Sequence, residues 1–235
     1  MSDVDFEWAA ALMERRRERY AEYSPVFWRP ALGITASHGE FLRSIAKREG
    51  SIAFRSDHGF VISYENQGRC FVDDFAVEGE DQWATEGKNL VLNAWNKARS
   101  PRQSTLRVVT ARLDQPKRDM LAALGLLATA RWWVKELRPT RPPQAPGPVD
   151  VAGRTAMLIQ APPVYDPGGP VLLLGDLEVD SIDAALAQAA TLGAVLAIVQ
   201  RDGGVQAVSD SEPGLEEAGF HNASEFYGGR PSERS

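Results

Sequence analysis

The residues most suited to chemistry lie in a loop between an expected strand and an expected helix. The loop runs through Gln82, Trp83, Ala84, Thr85, Glu86, Gly87 and Lys88. The first turn of a helix has N–H groups without intrahelical partners and a positive partial charge, so its backbone alone can hold a phosphate. Gly87, near the expected start of the helix, has no Cβ and would let a ligand approach the backbone closely.

Two adjacent carboxylates, Asp73 and Asp74, lie on the strand before this loop. Side chains alternate along a strand, so the sequence predicts that the two point to opposite faces of the sheet. One of them could face a cleft and take a proton from an amine, directly or through water. The alternative is that one is exposed to solvent while the other pairs with an arginine or caps a loop.

The pattern Gln82-x-x-Thr85-x-Gly87 resembles the acyl-CoA pyrophosphate loop of the GNAT acetyltransferase superfamily, Gln/Arg-x-x-Gly-x-Gly/Ala. Further along, Leu124-Gly125-Leu126 is similar to the Leu-Gly-Phe of that family. The resemblance is clearest over about residues 50–137. Two positions depart from the pattern. Thr85 replaces the first glycine of the loop, and Leu121 stands where many members have a tyrosine that acts as general acid.

The resemblance implies an α/β fold with a GNAT-like mixed twisted sheet flanked by helices. It also implies an N-acetyltransferase that uses acetyl-CoA as co-substrate and acts on an amine of a small molecule or a protein. Backbone N–H groups from Gln82 to Lys88 would bind the pyrophosphate, while Phe75 and Val77 would offer backbone groups to the pantetheine. Asp73 or Asp74 would be the base, and a group such as Tyr227 would have to replace the missing acid.

Two other interpretations stay open. Thr85, Leu121 and the acidic second half favour a catalytically silent member that binds acyl-CoA as a sensor, or binds a protein partner. Alternatively, Thr85 and Glu86 only cap the helix, and the chain is a structural module whose cleft is filled by Trp28 or Trp83. If the loop does bind the coenzyme, Gly87→Glu is expected to abolish that binding while leaving the fold largely intact.

Composition narrows the class of protein. The chain has 235 residues, which suggests one or two domains, and a hydrophobic content of 43%, which is ordinary for a globular protein. A net charge of −6 disfavours a general nucleic-acid binder. The N-terminal region is charged throughout and no long apolar run follows, so neither a signal peptide nor a membrane span is expected. The sequence predicts a cytoplasmic protein.

Cysteine and histidine usage gives no sign of a metal site or a disulfide. Cys70 is the single cysteine, which excludes an internal disulfide and suits a reducing compartment. His38, His58 and His221 are far apart and lack the spacing of metal ligands. Each is expected at the surface or in a turn.

The predicted order is two helices, three antiparallel strands, then alternating helices and strands, as in GNAT proteins. The helices are expected at 4–21 and from Ser37, where Ser37 and Glu40 fit a capping box. The strands are expected at 51–55, 59–64, 69–77 and 105–110. The usual first strand is not obvious, although residues 32–35 could supply a short one.

A proline-rich segment divides the chain. Residues 138–149 contain five prolines, which cannot continue a helix or a central strand. The sequence therefore predicts an acyl-CoA-binding domain over residues 1–138, a linker over 139–150 and a truncated GNAT-like domain over 151–235. In that last part, strands are expected at 155–161, 170–179, 194–200 and 222–227, and helices at 182–192 and 213–218.

The second half repeats features of the first in the same order. Leu121, Gly125 and Trp132 have the same spacing as Leu215, Gly219 and Phe226, and Asp74–Val77 corresponds to Asp176–Val179. These matches predict a degenerate internal repeat, with chance similarity as the alternative. The second copy has no glycine in its loop at 179–183 and carries two carboxylates that would repel a pyrophosphate. It is therefore expected to be structural, covering the sheet of the first copy or forming a homodimer contact.

Overall fold

The computed structural model of the protein describes residues 5–98, 105–175 and 177–232. Asp176, part of the proposed repeat, lies outside these ranges. The helices are α1 (Phe6–Tyr23), α2 (Ile34–Ala46), α3 (Glu86–Ala98), α4 (Gln115–Ala123), α5 (Ile182–Thr191) and α6 (Pro213–Glu217). Short 3₁₀ helices at Glu80–Ala84 and Val179–Ser181 come before α3 and α5.

The described strands form one mixed sheet. They are β1 (Ile52–Arg55), β2 (Gly59–Asn66), β3 (Arg69–Val77), β4 (Thr105–Ala111), β5 (Leu127–Glu136), β6 (Gly147–Val151), β7 (Arg154–Ile159), β8 (Val171–Leu174), β9 (Leu196–Asp202) and β10 (His221–Gly229). Their order is β1-β2-β3-β4-β10-β5-β9-β8-β7-β6. The β3–β4 and β8–β9 pairs are parallel and the others antiparallel.

The strand order has an internal symmetry. If β1 to β5 are exchanged with β6 to β10, the order reads the same from the opposite edge. The two halves exchange strands at the centre of the sheet. β10 of the second half lies beside β4 of the first half, and β5 of the first half lies beside β9 of the second half. Gly125 and Gly219, matched in sequence, both follow a helix in the left-handed conformation, with φ of +77° and +82°. Matched Trp132 and Phe226 also contact each other, with ring centroids 5.1 Å apart.

Apolar clusters attach helices to each part of the sheet. Helices α3 and α4 pack on β2, β3 and β4 through residues such as Val72, Leu90 and Leu121. On the other side of β2 and β3, α1 and α2 pack through Ala9, Leu42 and Phe60. A further cluster holds α5 and α6 against β6 to β9.

Helix α2 begins earlier than the sequence predicts. Its N-terminal boundary is Gly33, at φ +67°, a conformation that glycine adopts readily. Ser37 consequently lies inside the helix and donates a hydrogen bond to the Ile34 carbonyl at 3.1 Å, so the predicted capping box is wrong. The short strand suggested at 32–35 is also wrong, since residues 32 and 33 form a turn and α2 begins at Ile34.

The proline-rich segment is more ordered than a free linker. Its backbone follows the second half of the chain, with N–H groups of Thr140 and Gln144 donating to Ala190 and Leu192 at 2.9 and 3.0 Å. Its last residues, from Gly147, form β6 at the edge of the sheet, where proline is tolerated. The expected strand at 170–179 is shorter, because β8 ends at Leu174.

Among the described residues, the helices include none with the length and apolar character needed to cross a bilayer.

The central strand β10 is fixed by a buried charge. Glu225 on β10 is fully buried and lies 2.7 Å from Arg118 of α4, 2.9 Å from Arg131 of β5 and 3.4 Å from Arg112. We predict that Glu225→Ala destabilises the protein by about 3–5 kcal/mol, because it removes a fully buried carboxylate shared by buried Arg131 and half-buried Arg118 and Arg112. Chemical denaturation would measure the change. Glu217→Ala, at an exposed glutamate of α6, is the control, and equal stability of the two variants would contradict the prediction.

Candidate active site

The parallel strands β3 and β4 separate halfway along their length. Their pairing runs from Arg69 opposite Thr105 to Val72 opposite Val108 and then stops. Beyond this point β3 continues to pair with β2, and β4 with β10. The result is a fork at the carboxyl ends of two parallel strands, where open α/β sheets bind ligands.

A β-bulge lies at the base of this fork. Val61 of β2 faces Phe75 of β3, but Ser63, two residues on, faces Val72, three residues back. β3 therefore holds one extra residue at Asp73–Asp74, and such bulges re-aim side chains next to active sites. The prediction that the two carboxylates point to opposite faces is wrong, since both line one cavity.

That cavity, of about 70 Å³, collects charged groups from distant parts of the chain. Its charged and hydroxyl-bearing lining comes from α1, α2, β3, α4 and the loop after β7, and includes Arg16, Arg17, Tyr20, His38, Lys117 and Tyr165. We call it the polar cavity. Bringing so many ionisable groups together is costly unless they pair, and perturbed groups in a cavity are typical of functional sites.

Asp73 is the carboxylate best placed to exchange protons. Its side chain is exposed to water, and it also lines the polar cavity among several other ionisable groups. Burial, and next the charge of Asp74, raise the pKa of Asp73 to about 7, while Lys117 acts to lower it. A carboxyl group that titrates near neutral pH suits a general base.

Asp74 is tied to α1 and α2 through His38. The Arg17 guanidinium can only donate, so its Nη1, 2.8 Å from His38 Nδ1, fixes that nitrogen as an acceptor. The His38 proton then lies on Nε2, which is 3.4 Å from Asp74 Oδ1. The sequence placed His38 at the surface or in a turn, but it is buried, with 1% of its surface exposed.

Lys117 of α4 is a buried cation that sequence reasoning missed. Its Nζ donates to the Val109 carbonyl at 2.7 Å, on the β4 side of the fork, and lies 5.1 Å from the Phe75 ring centroid. Burial is the main cause that lowers the pKa of Lys117, to about 8. A lysine on a short amphipathic helix usually faces solvent, so no local pattern indicates a buried lysine at this position.

Two tyrosines border the polar cavity, although position 121 itself is a buried leucine. Tyr20 donates to Asp114 Oδ2 at 2.6 Å and accepts from Arg16, which also pairs with Asp114. Tyr165 has no hydrogen-bond partner for its hydroxyl among the residues described, and burial raises its pKa, so it stays protonated. Tyr227, the acid suggested from the sequence, instead packs in the core beneath α3 and α4.

The predicted phosphate loop is partly filled by its own tryptophan. Trp83 has 2% of its surface exposed, and its ring meets the Phe75 ring edge-on at 4.8 Å. The Arg16 guanidinium lies 4.3 Å from the same indole. A Cβ on residue 87 would lie 2.7 Å from Trp83 Cε3, so Gly87 makes room for the indole. The expectation that Gly87→Glu leaves the fold intact is therefore wrong.

The other loop residues lie nearer the surface. Gln82 caps the 3₁₀ helix by accepting from the Gly79 N–H at 3.2 Å. Ala84 and Thr85 are exposed, and Glu86 and Lys88 are half-buried. The Asn89 N–H donates to the Thr85 carbonyl at 3.0 Å, so the amides of residues 86–88 precede the first intrahelical bond of α3. Pyrophosphate binding at this loop remains a prediction.

Two further cavities follow the polar cavity along the sheet, one beyond the other. An apolar cavity of about 180 Å³ shares Trp28, Asp73, Val109, Pro162 and Tyr165 with it. Its other walls are mostly aromatic and aliphatic side chains from both halves of the chain. A wider cleft of about 460 Å³ follows at the ends of β8 and β9, and shares Trp132, Leu173 and Ile198 with the apolar cavity.

The raised pKa of Asp73 predicts a pH-dependent stability. The folded state holds this proton more tightly than the unfolded chain, so stability falls as the pH rises from about 4 to about 7. Asp73→Asn should therefore gain on the order of 1 kcal/mol over wild type at pH 8, a figure reduced because the carboxyl faces water in the cavity. Denaturant titrations at pH 5 and pH 8 would show it. Asp183→Asn, at an exposed residue of α5, is the control. If Asp73→Asn had the same dependence of stability on pH as wild type, the raised pKa of Asp73 would be contradicted.

The contact between Gly87 and Trp83 predicts an energetic coupling. Gly87→Ala should destabilise the protein by about 1–3 kcal/mol, because the added methyl group overlaps the indole. The cost should shrink in a Trp83→Leu background, where the smaller side chain leaves space. A double-mutant cycle by thermal or chemical unfolding measures this coupling. Additive effects would mean that the indole does not rest on Gly87.

Comparison with known proteins supports the architecture. No model of a protein family and no curated protein matches the sequence. In structure, the chain aligns with a candidate acetyltransferase from Thermoplasma acidophilum at a TM-score of 0.55 and 9% identity, over 91% of this chain and 89% of that one. A GCN5-related N-acetyltransferase from Sphaerobacter thermophilus aligns at 0.44 and 13% identity, over 76% and 79% of the two chains.

A tandem GNAT protein from the clavulanic acid biosynthesis pathway aligns at a TM-score of 0.40 and 12% identity, over 80% of this chain and 85% of that one. At such identities a structural likeness concerns the fold alone. The first alignment and the mixed sheet flanked by helices confirm the fold class predicted from the sequence, a GNAT-like α/β fold.

Proposed function

We propose that this protein is an N-acetyltransferase that transfers an acetyl group from acetyl-CoA to an amine. The observation that carries the proposal is Asp73, a carboxylate with a pKa of about 7, open to a cavity and placed by a bulge where β3 and β4 part. Acetyl transfer needs little more from a protein than a positioned amine, a base and a route for the thioester.

In this proposal Asp73 accepts a proton from the ammonium form of the substrate. The free amine nitrogen then attacks the thioester carbonyl carbon to form a tetrahedral oxyanion, which collapses to the amide with cleavage of the C–S bond. Backbone N–H groups of the bulge, where Asp73 and Asp74 have no register partner on β2, would stabilise the oxyanion. The Tyr165 hydroxyl, kept neutral by burial, would give a proton to the leaving sulfur and regain one from the attacking nitrogen, which loses that proton as it becomes the amide.

For the donor, we keep the site that the sequence resemblance implies. The amides between Gln82 and Lys88 would hold the diphosphate, and Phe75 and Val77 would offer backbone groups to the pantetheine. Exposed Ala84 and Thr85 and the free amides at the start of α3 support this location. The indole of Trp83 lies between the loop and the fork, so the pantetheine would pass over it or displace it.

The same indole supports a second candidate function. If Trp83 keeps the fork closed, the chain is a silent GNAT-like module that binds a protein partner. The packing of Trp83 against Phe75, Gly87 and Arg16 is the specific observation that favours this alternative.

The symmetry of the strand order supports a further part of the proposal. We propose that residues 151–235 are a truncated second GNAT-like unit that exchanges its last strand with the first, so that β10 and β5 each complete the other half. Its loop near Asp180 carries carboxylates that would repel a pyrophosphate. We therefore assign this unit a structural role beside the first one, without a coenzyme site of its own.

Acetyl transfer can be tested directly. Wild-type protein should bind acetyl-CoA in a calorimetric titration and release free thiol when a panel of amines is added. Asp73→Asn should still bind acetyl-CoA but release thiol at least 100-fold more slowly, in line with the usual contribution of a general base.

Glu65→Gln, at an exposed position of the neighbouring strand β2, is the matched control and should act as wild type. Binding without thiol release from any amine would favour the silent module. The absence of any heat or thermal shift with acetyl-CoA would remove the proposed function altogether.

A further inference from the structure

Arg17 of α1 is a buried guanidinium that protein groups satisfy only in part. It has 1% of its surface exposed and lines the polar cavity. Its Nη1 donates to His38, but Nε and Nη2 have no hydrogen-bond partner among the described residues. Buried polar groups are nearly always hydrogen-bonded, and an unpaired one in a native structure needs an explanation. A ligand that accepts these hydrogen bonds supplies it.

The two free nitrogens define the shape of that ligand. In a planar guanidinium, the Nε–H and one Nη2–H point the same way and are parallel, which matches the two oxygens of a carboxylate. The bond from Nη1 to His38 at 2.8 Å fixes the plane of the group and leaves this fork unused. His38 is itself oriented by Asp74, so the fork is held rigidly.

The same cavity has a place for a positive charge. Asp73 and Asp74 both line it, on the bulge of β3. The charge of Asp74 raises the cost of ionising Asp73 and adds to the effect of burial on the pKa of Asp73. A ligand ammonium between them would relieve this repulsion, as Lys117 does in part from α4.

An apolar space begins where the charged groups end. The apolar cavity shares Asp73 and Tyr165 with the polar cavity, and its remaining walls include Phe27, Trp132, Leu173, Ile198 and Phe226. Its volume of about 180 Å³ exceeds the 70 Å³ of the polar cavity. A small zwitterionic head therefore fits on one side of Asp73, and a larger apolar group on the other.

We propose that the acceptor amine is that of a free amino acid with an apolar side chain. Arg17 binds its carboxylate, Asp73 and Asp74 bind its ammonium, and its side chain occupies the apolar cavity. That the bound amine is acetylated rests on the proposed function. That the amino acid binds is argued only from the positions of the cavity residues.

Titration without acetyl-CoA tests the site separately from the reaction. L-phenylalanine and L-leucine should bind wild-type protein, whereas phenethylamine and isoamylamine, which lack the carboxylate, should bind at least tenfold more weakly. Arg17→Gln should lower the affinity for the amino acids at least tenfold and leave that for the two amines unchanged. A merely structural arginine would not separate these two ligand classes.

Two variants guard the experiment against misfolding. Arg15→Gln, at an exposed arginine of the same helix, is the matched control and should bind as wild type. Leu173→Trp should fill the apolar cavity, so that L-phenylalanine loses affinity while L-alanine does not. It leaves the charged groups untouched and tests the site even if Arg17→Gln fails to fold.

The outcomes separate the two proposals. Amino-acid binding that depends on Arg17, with no thiol release on addition of acetyl-CoA, supports the site and removes the enzymatic function. If thiol is released equally with amines and with amino acids, and Arg17→Gln does not change the rate, the inference is overturned. The proposed acetyltransferase function then still stands. Failure of wild-type protein to bind either amino acid also overturns the inference.

Discussion

Burial of opposite charges around a broken pair of parallel strands is the constraint on which the site depends. Strands β3 and β4 pair only as far as Val72 and Val108, and the bulge that follows turns both Asp73 and Asp74 into one cavity. Burial and the charge of Asp74 both raise the pKa of Asp73 there. Arg17, through His38, and Lys117 supply the compensating charge, and the helices that carry them must therefore pack against this part of the sheet.

The two halves of the chain depend on each other through the same region. β10, from the end of the chain, completes the sheet beside β4, and buried Glu225 anchors it to Arg118 and Arg131. The loop after β7 crosses onto the first half, where Tyr165 bridges to Pro30 and lines the polar cavity. The second half thus supplies both a central strand and part of the wall of the site. A structural role for it, as the sequence suggested, is compatible with this arrangement.

Much of the fold could be predicted, because the hydrophobic periodicity of helices and strands and the glycines and prolines that end them are local features of the sequence. The bounds of β3 match those predicted, and β4 and α5 differ from theirs by one residue at their C-terminal ends. The site was harder to foresee, since it depends on register and on distant contacts. Alternation along β3 predicted opposite faces for Asp73 and Asp74, and only the pairing with β2 reveals the extra residue. Arg17 lies in a run of three arginines on α1, a pattern typical of a solvated helix face, and no local pattern shows that His38 lies beside it. Gly87 was noticed for its missing Cβ, but its neighbour is Trp83.

A crystal structure of the protein with bound acetyl-CoA would test the central claim most directly. We expect the thioester carbonyl oxygen within hydrogen-bonding distance of the β3 bulge, the carbonyl carbon facing the Asp73 carboxyl, and the diphosphate at the start of α3. A coenzyme bound away from this fork, or a fork still closed by Trp83 at saturating coenzyme, would contradict it.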